Sequence, residues 1–172
     1  GLESEGPCGP DSEIFYNTGT EKCGDECNVS CNCGKYVEIG NNVFMQYLKT
    51  GEQILPLGRH NVDFGGGLER LTGLLQSVDS VYEIDTYRPI TEKVRELSKV
   101  ENIESQRVID DHLKAATWIV MDGVEPSRSQ QGYILRRLIR RAVRHGKKLG
   151  IEKPFTREVA EIAIEQFKDT WE

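Results

Sequence analysis

Residues 62 to 71 read "VDFGGGLERL": an apolar-polar alternation, three consecutive glycines, then the start of a helical period. Leu68, Leu71, Leu74, Leu75 and Val78 continue that period, so a helix is expected within "GGGLERLTGLLQSV". Upstream, short β-type runs stand between turn residues: "EIFY" at 13 to 16, "KYVEIG" at 35 to 40, "NVFMQYL" at 42 to 48, "QILPLG" at 53 to 58 and "HNVDF" at 60 to 64. The order is several strands and then a helix, which places the chain in the α+β class. The glycine run lacks the Gly-Lys-Ser/Thr of a Walker loop, and no βαβ unit surrounds it as a dinucleotide fingerprint would require.

Past the glycines a short helix is predicted at 91 to 99, "TEKVRELSK", after Pro89 and with Thr91 as N-cap. From 105 onward strand signals stop and three amphipathic helices are predicted. They run from about 106 to 121, ended by Gly123, from 131 to 149, ended by Gly150, and from 156 to 170, opened by Thr156 after Pro154. Charge divides the chain near the same point. Residues 1 to 106 hold 9 Lys and Arg against 18 Asp and Glu, whereas 107 to 172 hold 13 against 10. Such asymmetry points to a different partner for each half. A boundary is therefore expected in "SKVENIESQ", giving domains 1–104 and 105–172.

With 172 residues, 37% of them apolar, the chain can bury a core. No run of about 18 apolar residues and no charged-then-apolar leader occurs, so a cytoplasmic protein without a membrane partner is expected. The start at Gly1, without an initiator Met, suggests a piece of a longer chain whose remaining domains are its partners.

The stretch "GYILRRLIRRAVRHGKK", 132 to 148, holds seven of the 22 cations in a chain of net charge -6. On a helical wheel Arg136, Arg137, Arg140, Arg141, Arg144, Lys147 and Lys148 fall within roughly 140°. Leu135, Leu138, Ile139, Ala142, Val143 and Leu149 occupy the opposite arc. A solvated helix face usually mixes signs to gain i,i+4 pairs, and this one has no acid. Guanidinium groups suit phosphate forks, and Tyr133 lies near the same face, so nucleic acid is the expected partner ahead of plain solvent or a membrane surface.

"KCGDECNVSCNCGKY" contributes Cys23, Cys27, Cys31 and Cys33, a C-x3-C-x3-C-x-C pattern. Four thiolates in eleven residues suit a structural Zn2+ site; an iron–sulfur cluster and free thiols are the alternatives. Cys8, in "GPCGP", reads as a loop residue and not a fifth ligand. The histidines His60, His112 and His145 are scattered and no catalytic role is read for them, while Asp110 and Asp111 read as helix-start charges. The glycines allow a ligand close to the backbone, with helix amides ready for an anion, Arg70 in reach of a phosphate and Asp63 suited to an amine or a metal. A tight turn capped by Asp63 explains the same residues.

Four blocks in order, "GPCGPDSEIFY", "YVEIGNNVFMQY", "VDFGGGLERLTGLLQ" and "QGYILRRLIRRAVRHGKKLG", resemble the alanyl-tRNA synthetase family across nearly the whole chain. "GGGLER" resembles the third signature motif of class II synthetases. The resemblance implies the C-terminal part of a class II catalytic domain on an antiparallel sheet, followed by an all-α domain for the tRNA acceptor stem. It implies condensation of alanine with ATP, accompanied by Mg2+, and transfer of alanine to the tRNA. By the same resemblance Asn41, Asp63 and Gly65 bind alanine, with Asp63 on its amino group. Arg70 contacts ATP phosphate and Arg137, Arg140 and Arg141 contact the acceptor stem; the glycine turn adds Gly67 to the ATP site, and the cationic face adds Arg136, Arg144 and Lys147 to the tRNA site. Two positions depart from the family: Gly40 replaces a Trp beside the Asn, and Arg128 stands where many members have an Asn that reads the acceptor stem. The first two class II motifs are missing, so this piece alone is expected not to activate alanine. The alternative is a non-catalytic, zinc-stabilised RNA-binding paralogue.

Overall fold

The computed structural model describes residues 5–169, which divide into two compact units, 1–77 and 78–172. The first holds strands β1 (Gly6–Cys8), β2 (Asp11–Asn17), β3 (Tyr36–Thr50) and β4 (Gln53–Gly66), then helix α1 (Leu68–Leu75). All pairing is antiparallel and β3 is the common partner: it pairs β2 through Tyr36–Val43, β1 through Tyr47–Lys49, and β4 from Gly40 to Thr50. Gly51, at φ +60, and Glu52 make the two-residue turn between β3 and β4, where a positive φ is required.

The strands are longer than the sequence pattern suggests. "KYVEIG" and "NVFMQYL" fall in one strand, as do "QILPLG" and "HNVDF". Gly40 and Gly58 look like punctuation, yet partners on β2 and β4 keep the Gly40 backbone extended. Two irregularities absorb the mismatch. Ile14 faces Gly40 but Phe15 faces Glu38, so Ile39 is an extra residue on β3. Opposite Gln46, β4 carries the surplus residues 57–60 between Pro56 and Asn61, and Pro56, lacking an N–H, lies at the edge of this break. Cys8, expected in a loop, is the last residue of β1.

The glycine run is likewise a continuation of the sheet and not a turn. Gly65 and Gly66 pair with Asn41 and Gly40, and only Gly67 lies outside β4, as N-cap of α1. The helix stops at Leu75, before Val78.

The second unit contains a 3-10 turn (Val81–Glu83) and helices α2 (Arg88–Leu97), α3 (Ile103–Met121), α4 (Gln130–Lys148) and α5 (Thr156–Phe167). Its core gathers Ile90 and Val94 of α2, Ile109 and Leu113 of α3, Ala142 of α4, then Leu149, Ile151, Phe155, Val159 and Ala163. Because α2 packs on α3 and α5, the contact boundary lies at Ser77/Val78, upstream of the charge change used to expect 104/105. Thr91 does not cap α2. The helix starts three residues earlier, with Pro89 in its first turn, and Thr91 is buried. Asn102 caps α3, its side chain accepting from the Ser105 amide at 2.8 Å, so α3 also starts before the expected 106. A Cβ on Gly146 would sit 2.4 Å from the Phe155 ring, so the glycine is what lets Phe155 lie against α4. The last helix opens at Thr156 as expected; its expected end at 170 lies outside the described residues. Among the described residues no helix is long and apolar enough to cross a membrane.

Candidate functional site

Residues directly opposite in a sheet share a face. Asn41 faces Gly65 on β4 and Glu13 on β2, while Val43 faces Asp63 and Asp11. The sheet thus brings Asn41, Asp63 and Gly65 to one face, together with Asp11 and Glu13, which sequence reasoning did not select. The register that aligns Asn41 with Gly65 and Val43 with Asp63 depends on the break opposite Gln46, which sequence alone does not show. A Cβ on Gly65 would lie 2.6 Å from the Asn41 Oδ1, so the glycine gives the Asn41 amide its place. Asp63 is exposed, available to a cationic group in solution.

Gly40 belongs to the opposite face, with Gly66 and Phe64. A Cβ there would come within 3.1 Å of the Phe64 ring and 2.9 Å of the Gly65 carbonyl oxygen. The Phe64 ring stands over the space a side chain at position 40 would take. Position 40 thus lies on the sheet face opposite to Asn41 and Asp63.

At the strand-to-helix junction the Gly67 amide donates to the Ile39 carbonyl at 3.1 Å. Ile39 is the bulge residue without a β2 partner, and its carbonyl, on the β4 side, carries the β3–β4 pairing on to the start of α1. No side chain caps α1. Arg70 Nη1 donates to the Glu38 carbonyl at 2.8 Å and meets the Glu38 carboxylate at 3.2 Å, tying the first turn of α1 back to β3. Its side chain remains about half exposed, at 49%. The sequence pointed to Arg70 but not to Glu38, whose acid reads as an ordinary outward strand residue.

On α4 the wheel reading holds in part: Val143, expected on the apolar arc, is 38% exposed and lies with Ile139 beside the cations. Leu135 and Ala142 are fully buried, and Leu149, at the C-cap, is nearly so. Arg137, Arg140, Arg141, Arg144 and Lys147 are exposed. With Tyr133 and Arg136 they line an open groove of about 640 Å3. Among the described residues none of these cations is in an ion pair. Arg136 is half-buried, its guanidinium 5.9 Å from the Tyr133 ring centroid. Gly132 sets the start of this helix: a Cβ would meet the Glu125 carbonyl oxygen and the Ser127 Oγ, both at 2.4 Å. The loop carrying Arg128 packs on α4 through that gap, and the Ser127 amide donates to the Gly132 carbonyl at 3.0 Å.

The cysteine loop joins β2 to β3. The Sγ atoms of Cys23, Cys27 and Cys31 lie within 4.8 Å of one another, and Cys33 Sγ is 3.8 Å from that of Cys27. The group can hold a metal ion. Crowding by the thiols of Cys27, Cys33 and Cys31 pushes the Cys23 thiol up to about 12, while the Lys35 backbone amide beside Cys33 brings that thiol down.

The remaining titratable groups are structural. Asp110 lies within α3, not at its start, and is fully buried, with Oδ2 accepting from Thr91 Oγ1 at 2.8 Å. Burial pushes its carboxyl up to about 7, against the opposing Thr91 hydrogen bond. His145 is buried on α4, its Nδ1 3.0 Å from Ser105 Oγ, and burial lowers its pKa. The His112 Nδ1 stands 3.0 Å from its neighbour Asp111.

The sequence of the chain is similar to those of known proteins. A family model described as "tRNA synthetases class II (A)" matches residues 2–172. The alanine--tRNA ligase of Borreliella burgdorferi is 47% identical over 167 residues, covering 92% of this chain and 28% of that protein. The Treponema pallidum alanine--tRNA ligase is 45% identical, covering 94% and 28%. The one from Acetivibrio thermocellus is 41% identical, covering 96% and 20%. The chain thus spans between a fifth and just over a quarter of the length of these relatives. With its antiparallel sheet, its glycine-rich strand-to-helix junction and this match along its whole length, the chain belongs to the class II tRNA synthetases.

Proposed function

We propose that the chain is part of an alanine--tRNA ligase, in which the first unit takes part in activating alanine with ATP and Mg2+ and the second receives the tRNA acceptor stem. The observation that carries this reading is the convergence of Asn41, Asp63 and Gly65 on one sheet face in a chain 41% to 48% identical to alanine--tRNA ligases. In it the Asp63 carboxylate pairs with the alanine ammonium, Asn41 holds the substrate, and Gly65 keeps the pocket small. Exclusion by size alone gives about 1 to 3 kcal/mol per methylene. Gly67 and Arg70 serve ATP, the guanidinium reaching a phosphate from the first helical turn. Arg136, Arg137, Arg140, Arg141, Arg144 and Lys147 bind acceptor-stem phosphates, contacts that position the RNA without reading its bases. The catalytic region extends over residues 1–104, into the start of the second unit, and 105–172 form the acceptor-stem region; the reaction is cytoplasmic, and the cysteine loop is a Zn2+ site of the same enzyme.

The test is alanine-dependent ATP–pyrophosphate exchange by the parent chain. Exchange is expected, and Asp63→Ala should raise the KM for alanine on the order of 10- to 100-fold, as loss of a charged hydrogen-bonded contact does, with far less effect on ATP. Equal losses for both substrates would make Asp63 a structural residue. Tight tRNA binding without exchange would replace the ligase by a non-catalytic RNA-binding protein.

A further inference from the structure

Strand β3 outruns its partner at the end of β4. Pairing between the two stops at Gly40 and Gly66, while β3 extends back to Tyr36. The chain turns into α1 beside that overhang: the Gly67 amide donates to the Ile39 carbonyl at 3.1 Å, and Arg70 Nη1 donates to the Glu38 carbonyl at 2.8 Å. The same nitrogen also donates to the Glu38 carboxylate, with Oε2 at 3.2 Å, so one residue holds the guanidinium through both its backbone and its side chain. The stem of Arg70 lies back against the N-cap, where a Cβ on Gly67 would stand 3.2 Å from its Cδ and 3.4 Å from its Cβ and Cγ. Glycine at 67 leaves that path clear.

Stability does not account for the pair. The Arg70 and Glu38 side chains are 49% and 37% exposed, and ion pairs at such exposure add little to the folded state. Ordering a long side chain on binding is costly, however, and a guanidinium fixed beforehand is spared that cost when an anion arrives. These bonds engage Nη1 alone, so Nη2 and Nε can meet a phosphate as a fork. We infer that Glu38 is a positioning residue of the ATP site: it holds the Arg70 guanidinium beside the start of α1, in the pose that receives a terminal phosphate of the nucleotide. The inference rests on Arg70 serving ATP and adds what aims it. A carboxylate at this place also lowers the local positive potential, which by itself weakens phosphate binding. Between exposed charges that term is screened by salt, so the orienting effect is the larger.

The experiment is alanine-dependent ATP–pyrophosphate exchange, together with calorimetric titration of ATP, on the parent chain and its variants. Glu38→Ala should raise the KM for ATP about 3- to 10-fold, the cost of ordering one long side chain, with the KM for alanine unchanged. Glu38→Gln keeps an oxygen acceptor without the charge and should recover most of that loss. Adding Glu38→Ala to Arg70→Ala should change nothing further, since a residue that acts through another has no effect once its target is gone. An unchanged or lowered KM for ATP in Glu38→Ala, an equal loss for alanine, or additive losses in the double variant would each overturn the positioning role while the unmutated chain still performs exchange. If the unmutated chain binds ATP without exchange, the ligase reading falls and the titration alone decides the role of Glu38 by the same outcomes. A chain that neither binds ATP nor exchanges would overturn both.

Discussion

Thr91 and Asp110 show how one buried hydroxyl constrains a neighbouring charge. The Thr91 hydroxyl has a single proton and two acceptors, Asp110 Oδ2 at 2.8 Å and the Tyr82 carbonyl at 3.2 Å. A protonated Asp110 resolves the conflict by donating to Thr91, which then donates to Tyr82. The Asp110 Oδ1, buried without a partner, is also less costly on a neutral acid than on an anion. The folded pKa is about 7, above the unfolded carboxylate's roughly 3.9, even with Arg95 favouring the anion; Asp111 opposes it. Since the raised pKa belongs to the folded state, the stabilising contribution is complete below about pH 4 and is lost as pH rises through 7, at most about 4 kcal/mol in all. Denaturant melts of the chain from pH 5 to 8 should therefore show the second unit losing stability with pH. Asp110→Asn should flatten that slope. An unchanged slope would show that Asp110 is ionised in the fold.

Helix α4 is where an element's two faces do separate jobs. Its apolar side is fixed by Leu135, Ala142 and the Phe155 ring lying on Gly146, which leaves the cationic side free of structural duty. Replacing Arg140 and Arg141 by Ala should therefore leave thermal stability nearly unchanged while weakening RNA binding. The slope of log affinity against log salt should fall by about 0.7 to 0.9 for each phosphate contact removed. A slope equal to the unmutated protein's would return both residues to simple solvation. This helix was legible in the sequence because its period is local: each side chain's face follows from its own position. The sheet was less so. Whereas Gly58 falls in the unpaired stretch opposite Gln46, Gly40 signals a turn in isolation, and only its partners on β2 and β4 hold the chain extended. The same holds for Gly65, whose role depends on Asn41, 24 positions earlier. Thr91 carried a capping signal that Pro89 and the turn before it overrode. Glu38 and Phe64 carried no signal, since their importance lies in contacts with Arg70 and Gly40 that the fold creates.

At the scale of the molecule the two units differ in how they are held. Among the described residues of the first unit only Gly40 and Gly73 are buried, whereas the second buries a continuous cluster from Ile90 to Ala163. The hydrophobic effect follows apolar area removed from water, so cooperative stability should reside in the second unit. A chain of residues 78–172 alone is expected to keep its helical circular dichroism and unfold in one sharp thermal transition, and residues 1–77 alone to show none. Broad melting of 78–172 would mean that its core needs the rest of the chain. The first unit instead depends on β3, which from Tyr36 to Val43 serves the cysteine loop, Glu38, the Ile39 carbonyl, Asn41 and the partner of Asp63 in succession. Side chains alternate along a strand, so one added or deleted residue would turn every later one to the wrong face. Over evolutionary time this segment should keep its length and its Glu38 and Asn41, with exchange confined to positions such as Gly40 on the other face. The 18–35 connection beside it should change in length only where the bonds from Thr18 to Lys35 and Gly34 that close its mouth are kept.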